Sequence, residues 1–326
     1  MTTLRRNLVD LHTHTSRSDG VYPPLELYAQ MRAAGMRLVS VTDHDSLEGY
    51  REIRRVGLGD APGPDGPQVI PGVEINTIGG ELTRRDGLGR DGEELHILGL
   101  GIDIDDPAFR AVRERQRQGR RLRIESTLSR LRELDMPVDQ FLQGDVAMDA
   151  MGRPHVARAL IRAGYATSVD DAFDRYLDFG QPAYVARSGI GPEEAIRAIT
   201  AAGGLAVLAH SPGAPDRPAL IDHLQGIGLA GLEVYYRTFM PETVVRMRDF
   251  AAARGLLPTG GSDYHGDTMT YAEAQATTHV PDSVGERLLA AIQVRHRERA
   301  AGSAAAADAA GTAAAGTEAA AAHGEP

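Results

Sequence analysis

The chain has 326 residues, 42% hydrophobic and 25% charged, which suits a globular enzyme of one large or two modest domains. Its formal net charge of −10 argues against holding long nucleic acid by bulk electrostatics, although local arginines and metal ions suffice for a small phosphorylated substrate. Cysteine and lysine are both absent, which excludes disulfides, thiolate ligands, a cysteine nucleophile, Schiff-base chemistry and a carbamylated lysine as a metal bridge.

No apolar run approaches the ~18–20 residues that span a bilayer, and the first residues lack the apolar core of a signal peptide. The expected compartment is the cytoplasm, with no membrane partner. The first apolar run, NLVDL, leads to His12 and His14. Alternate residues of an extended segment point to one side, so both imidazoles can meet one ion. Imidazole suits zinc, manganese and iron, but two histidines at this spacing are often incidental. Asp19 follows in SRSDG, where a turn aspartate is the plainer reading.

Residues 24–34 read as a helix, and RLVSVT as a strand that delivers Asp43, His44 and Asp45. A solvated turn accounts for Asp45, but less well for a histidine bracketed by two acids at a strand end. QVIPGV runs to Glu74, either a surface acid or a carboxylate bridging two ions. Residues 57–67 and 79–92, rich in glycine, read as surface loops, and ELHILGLGI between the second loop and residue 103 carries His96.

From 105 to 187 the alternation stops, and the sequence becomes helical in pattern and rich in arginine. Residues 110–132 read as one long helix ending before Pro137, part of an inserted cap over the mouth of the fold. Alternation then resumes. A helix over 192–202 precedes GLAVLA and His210; GLEVYY carries Glu233; a helix over 241–254 precedes LLPTGGS, Asp263 and His265. After residue 300 an alanine-rich stretch, interrupted by glycine and without a repeating apolar face, predicts a disordered tail.

Strands alternating with helices imply an α/β barrel or a layered sheet. Ligating residues at seven strand ends favour the barrel, whose active site is built on that face. Together they offer oxygen and nitrogen donors for two to three metal sites.

In this order HTHTSRSDG, TDHD, PGVE, the histidine of ELHILG, LAH and GSDYH resemble the PHP (polymerase and histidinol phosphatase) superfamily, over residues 8 to about 295. GRPHVARALI followed by AFDRYLDFGQPAYVARSG resembles the insert of bacterial 3′,5′-nucleoside bisphosphate phosphatases and RNase AM-type 5′→3′ exoribonucleases. The resemblance implies a distorted (β/α)7 TIM-like barrel from 1–104 and 188–299, a helical cap from 105–187 and a tail from 300–326. It also implies two to three divalent ions, Mn2+, Fe2+ or Zn2+. His12, His14 and Asp263 would hold the first; Glu74 would bridge to a second, completed by His96 and His210; Asp19, His44 and His265 would hold the third. Ser211-Pro212 after His210 departs from relatives that have proline directly, which leaves that loop unassigned.

The implied reaction is hydrolysis of a phosphate monoester, the 3′-phosphate of a 3′,5′-bisphosphonucleotide, by a metal-bridging hydroxide, with short 5′-phosphorylated RNA as a further substrate. Glu74, Asp263 and His210 belong to the expected catalytic set, with Arg153 and His155 of GRPH; these two and Arg158 are the candidate phosphate contacts. A solvated helix face explains Arg158 nearly as well. Competing readings are a histidinol phosphatase, an amidohydrolase barrel, and a non-catalytic polymerase-associated PHP module. No obligate protein partner is expected.

Overall fold

A computed structural model describes residues 8–63, 66–79, 94–142 and 146–321, with side chains as far as Gly302. Seven strands form one sheet in sequence order: β1 (Val9–Asp10), β2 (Leu38–Val41), β3 (Gln68–Ile78), β4 (Glu94–Leu100), β5 (Leu205–Leu208), β6 (Leu229–Tyr236) and β7 (Leu257–Gly261). The strands are short apolar runs buried along most of their length, as expected where both faces are covered. Pairing is parallel from β1 to β3 and from β5 to β7, whereas β4 runs antiparallel to both neighbours. Leu11 N donates to Gly260 O at 3.1 Å and Asp263 N to His12 O at 2.8 Å, so β1 returns beside β7 and the sheet nearly closes into a distorted barrel. Glu74 does not end its strand; β3 continues past it to Ile78.

Among the described residues the α-helices are, in order, α1 (Pro24–Ala33), α2 (Glu48–Arg55), α3 (Pro107–Glu133), α4 (Arg153–Arg162), α5 (Val169–Ala172), α6 (Pro192–Ala201), α7 (Pro218–Ile227), α8 (Pro241–Ala253), α9 (Tyr271–Thr277) and α10 (Asp282–Ala321). Proline opens α1, α3, α6, α7 and α8, where its fixed φ suits the first turn and its missing N–H costs nothing. These prolines are why several helix starts could be read from sequence.

One core cluster joins the sheet to α6, α7 and α8 through Ile97, Ile196, Ile199, Leu208, Leu224, Leu232 and Met247. A second packs Val9, Leu38, Leu98, Val284, Leu288 and Ile292 between sheet and α10. The segment between β4 and α6 has its own cluster, including Ile124, Leu128, Leu131, Val156, Leu160 and Leu177. No helix among the described residues is long and apolar enough to cross a membrane.

The tail is the main departure in secondary structure. Where disorder was expected from residue 300, α10 continues to Ala321, in keeping with the helix propensity of alanine. The contacts that dock α10 lie earlier: Val284, Leu288 and Ile292 are buried, His296 Nε2 bonds Gly101 O at 2.7 Å, and Arg299 pairs with Asp103 and Asp106. Removing residues 301–326 is therefore expected to lower the melting temperature by less than about 2 °C, whereas docking by the tail would lower it by several degrees in a thermal melt.

Candidate metal centre

Because β4 runs against its neighbours, its first residues lie at the same rim as the last residues of the parallel strands. That reversal brings His96 to the rim reached by His12 and His14 after β1, His44 after β2, Glu74 in β3, His210 after β5, and Asp263 and His265 after β7. Asp19 joins them from the loop after β1. The nine side chains form three overlapping groups: His12, His14, Glu74 and Asp263; Glu74, His96 and His210; and His14, Asp19, His44 and His265. Within each group the donor atoms lie within 4.8 Å of one another.

Glu74 is the centre of this arrangement. Its Oε2 lies 3.2 Å from His12 Nε2, 3.1 Å from His14 Nε2 and 3.1 Å from His44 Nδ1. Its Oε1 lies 2.7 Å from His96 Nδ1 and 3.1 Å from His210 Nε2. Asp263 Oδ1 stands 3.3 Å from His12 Nε2 and 3.1 Å from His14 Nε2, and Asp19 Oδ1 stands 3.3 Å from His265 Nε2. His14 faces two groups, since its Nδ1 is also 3.8 Å from Asp19 Oδ1.

These donors fit divalent cations. His14 Nε2, Asp19 Oδ1 and Asp263 Oδ1 are buried without a hydrogen-bond partner, despite their close neighbours. Buried polar atoms are rarely left so; atoms aimed at a shared point instead of at each other suit a bound ion. The field agrees. Burial works against charge on every group, yet His44, His12 and His96 hold the Glu74 carboxyl well below its usual range. Against the same burial, Asp263 and Glu74 lift His14 to about 10, and Glu74 lifts His96 to about 9. The carboxylates thus create a potential that favours cationic charge. All-nitrogen-and-oxygen donors suit borderline and hard divalent metals.

The backbone is bent to deliver these groups. Asp45, His210 and Asp263 have φ of 54°, 24° and 48°, in the left-handed region that non-glycine residues seldom adopt. Each is held by a neighbour: Asp45 N donates to Glu74 O at 2.9 Å, Asp263 N to His12 O at 2.8 Å, and His210 N to Glu233 Oε2 at 2.7 Å.

Glu233 is fully buried, and the sequence reading left it without a role. His12 Nδ1 donates to its Oε1 at 3.0 Å, which fixes the tautomer and turns Nε2 toward Glu74 and Asp263. Tyr236 OH donates to Asp263 Oδ2 at 2.8 Å. Asp43 is a loop anchor: it accepts from Thr15 N at 2.7 Å and from the Thr15 and Ser18 hydroxyls at 2.8 Å. Asp10 accepts from Ser262 N at 2.9 Å and Tyr271 OH at 3.0 Å, tying β1 to the loop after β7; burial raises its pKa to about 6.

The candidate phosphate contacts divide. Most of GRPH lies within a helix, because α4 begins at Arg153. His155 Nδ1 accepts from Gly152 N at 3.1 Å, closing the first turn, and burial lowers its pKa to about 4, which makes it a neutral cap. Arg158 is taken up by Asp267, at 2.9 Å from Nε, and by Asp19 O at 2.9 Å. Neither lines the cavity beside the donor groups; both lie along a different groove. Arg153 does line that cavity, of about 140 Å³, with Asp19, His44 and His96. It is lightly held, 3.4 Å from Leu177 O and 3.5 Å from Asp178.

Three further arginines line the same cavity, Arg120, Arg123 and Arg187, and the sequence reading missed them. Arg120 pairs with buried Asp45, while Arg123 and Arg187 stand 3.1 and 3.5 Å from Glu94. Glu94, Asp45 and Asp178 are the carboxylate partners of the four guanidinium groups, which gathers them on one wall of the cavity. The available signal was periodicity: Arg113, Gln116, Arg120 and Arg123 recur at helical spacing and form a buried polar stripe on α3.

A PHP domain profile matches residues 10–182. The 5′-3′ exoribonuclease Rnm of Salmonella typhimurium is 33% identical over 272 residues, covering 79% of this chain and 85% of its own length. The chain belongs to the PHP family. A further relative, the 3′,5′-nucleoside bisphosphate phosphatase of Chromobacterium violaceum, is 31% identical over 271 residues, covering 79% of this chain and 87% of its own length. Among solved structures, a protein of Bifidobacterium adolescentis described as a metal-dependent phosphoesterase superposes with a TM-score of 0.70 at 28% identity, covering 87% of this chain and 96% of the other. An amidohydrolase structure from Chromobacterium violaceum gives 0.72 at 27% identity with the same coverage. This PHP protein is a metal-dependent phosphoesterase, a hydrolase of phosphoric ester bonds on a distorted TIM-like barrel.

Proposed function

We propose that the chain removes the 3′-phosphate of a 3′,5′-bisphosphonucleotide, using two to three divalent ions drawn from manganese, iron and zinc. The observation that carries this reading is the continuity of two sites. Asp19, His44 and His96 belong to the donor groups and also line the arginine cavity, so a phosphate on the metals would lie beside a second anion site. A cavity of about 140 Å³ is close to the ~150 Å³ that admits one benzene, and therefore suits a phosphate group and not a whole nucleotide. The kinship with a 3′,5′-nucleoside bisphosphate phosphatase supports two phosphates on one substrate. Short 5′-phosphorylated RNA is the second reading, supported by the relatives named 5′-3′ exoribonuclease.

When bound, the ions would supply an acidified water as nucleophile and neutralise charge on the phosphoryl oxygens. His12, His14 and Asp263, then Glu74 with His96 and His210, then Asp19, His44 and His265 would hold them. Glu233 keeps the His12 proton on Nδ1. Arg120, Arg123, Arg153 and Arg187 bind and orient the remote phosphate, for which a planar guanidinium fork is well matched. Residues 105–187 act as a cap on a barrel made of 1–104 and 188–299, limiting water around the reacting ester.

A phosphate-release screen on metal-reconstituted protein tests this, comparing 3′,5′-bisphosphonucleotides, 5′-mononucleotides, histidinol phosphate and short 5′-phosphorylated RNA. Preference for histidinol phosphate would overturn the reading. Arg153→Ala is expected to leave metal content intact and to lower kcat/KM on the bisphosphonucleotide by about ten- to hundredfold, the value of a charge-assisted contact of roughly 1.5–3 kcal/mol. An aryl phosphate should suffer less. Equal losses on both substrates would place Arg153 at the reacting phosphate instead.

A further inference from the structure

If the arginine cavity takes a phosphate and the donor groups take another, the sugar and base between them need room elsewhere. The cavity, at about 140 Å³, cannot supply it. A groove of about 700 Å³ can; it contains His265 of the donor groups and shares Pro154 and Phe173 with the cavity. Small-molecule sites typically occupy ~300–1,000 Å³, so this volume suits a nucleoside. Another groove, of about 410 Å³, also adjoins the cavity at Met151, but none of the nine donors lines it.

Phe173 stands at the junction. It opens a π-helical turn, Phe173–Leu177, an uncommon geometry that often marks functional positions. The Arg153 guanidinium carbon lies 5.2 Å from its ring centroid, so the ring and the arginine proposed for the remote phosphate form one unit. The groove carries acidic residues. Asp170 and Asp174 are exposed and carry no ion pair among the described residues, Asp178 faces Arg153, and Arg237 is the one arginine along the wall among the described residues. A polyphosphate chain leaving by this route would meet like charge, whereas a neutral base and sugar would not.

We infer that the groove beside His265 is the subsite for the nucleoside part of a single nucleotide, with its base against Phe173 and an acidic rim that disfavours longer RNA. The inference rests on the nucleotide reading above and narrows it.

The test uses the full metal-loaded chain and three substrates: a 3′,5′-bisphosphonucleotide, the same ribose bisphosphate without a base, and a short 5′-phosphorylated RNA. Phe173→Ala is expected to cut the preference for the base-bearing substrate by about ten- to hundredfold, with Phe173→Tyr retaining it, because stacking a base on an aromatic ring is worth that much. Metal content should stay as in the wild type; Phe173 also packs against the cluster of the inserted segment, so Phe173→Ala should lower the melting temperature, and Phe173→Tyr separates that loss from the loss of the base platform. The double variant Asp170→Asn, Asp174→Asn should raise turnover of RNA relative to the bisphosphonucleotide severalfold at low salt, the gain fading as salt screens the rim. Equal losses on the two ribose bisphosphates in Phe173→Ala would overturn the base platform and make Phe173 a support for Arg153. An unchanged RNA ratio in the double variant would overturn the rim. Should the wild type release no phosphate from any nucleotide, the nucleotide reading itself would fail, independently of Phe173.

Discussion

Glu74→Ala is expected to lower kcat/KM by about three orders of magnitude and to strip more than one metal ion from the protein. The carboxylate spans five imidazoles, with His12, His14 and His44 on one oxygen and His96 and His210 on the other. Its removal therefore empties the middle of the cluster, and metal ions contribute several kcal/mol of charge stabilisation in such reactions. Asp19→Ala makes the informative contrast. Among the described imidazoles the Asp19 carboxylate meets His14, His44 and His265, all of one group, so its loss should vacate that group and leave a measurable residual rate. Elemental analysis beside steady-state kinetics reads both. Wild-type turnover and metal content in Glu74→Ala would remove it from the centre of the site.

Glu233→Gln is expected to weaken metal retention by about ten- to hundredfold, with activity falling in step, although Glu233 belongs to none of the donor groups. One carboxylate oxygen accepts from His12 Nδ1 and the other from the backbone N of His210. Glutamine has a single acceptor oxygen, so one N–H is left facing an amide N–H in a fully buried place, at a cost of about 1–3 kcal/mol. The two histidines serve different groups, and His210 holds a φ of 24° that its hydrogen bond helps maintain. Metal titration and a thermal melt of the metal-free protein would both shift. A variant that binds metal like the wild type would show that the His12 tautomer is set without Glu233.

How much of this was legible in the sequence depends on the kind of signal. Most of the nine donors stood out because they lie at or near a short apolar run, and strand ends make an active-site rim in barrels, whereas Asp19, in a turn-like loop, entered only through the resemblance to the PHP superfamily. The reversed direction of β4 had no local signature. His96 looked like a mid-strand histidine, and only the antiparallel register with β3 and β5 puts it on the shared rim. Glu233 was noticed and left unassigned, since its role depends on partners 221 and 23 residues away in the chain. Arg120 and Arg123 were hidden among the many arginines of α3, where burial and not residue type separates the cavity stripe from the solvated face. His155 and Arg158 have local partners that the sequence did not reveal, one closing a helix turn and the other paired with Asp267.

The central claim is that Glu74 and the eight side chains around it hold a cluster of metal ions that performs the hydrolysis. It is tested most directly by counting metals in protein purified without chelator, alongside phosphate release from a 3′,5′-bisphosphonucleotide. The expected result is two to three equivalents of manganese, iron or zinc per chain, with turnover lost on chelation and restored on adding metal back. A chain fully active with one ion or none would contradict it.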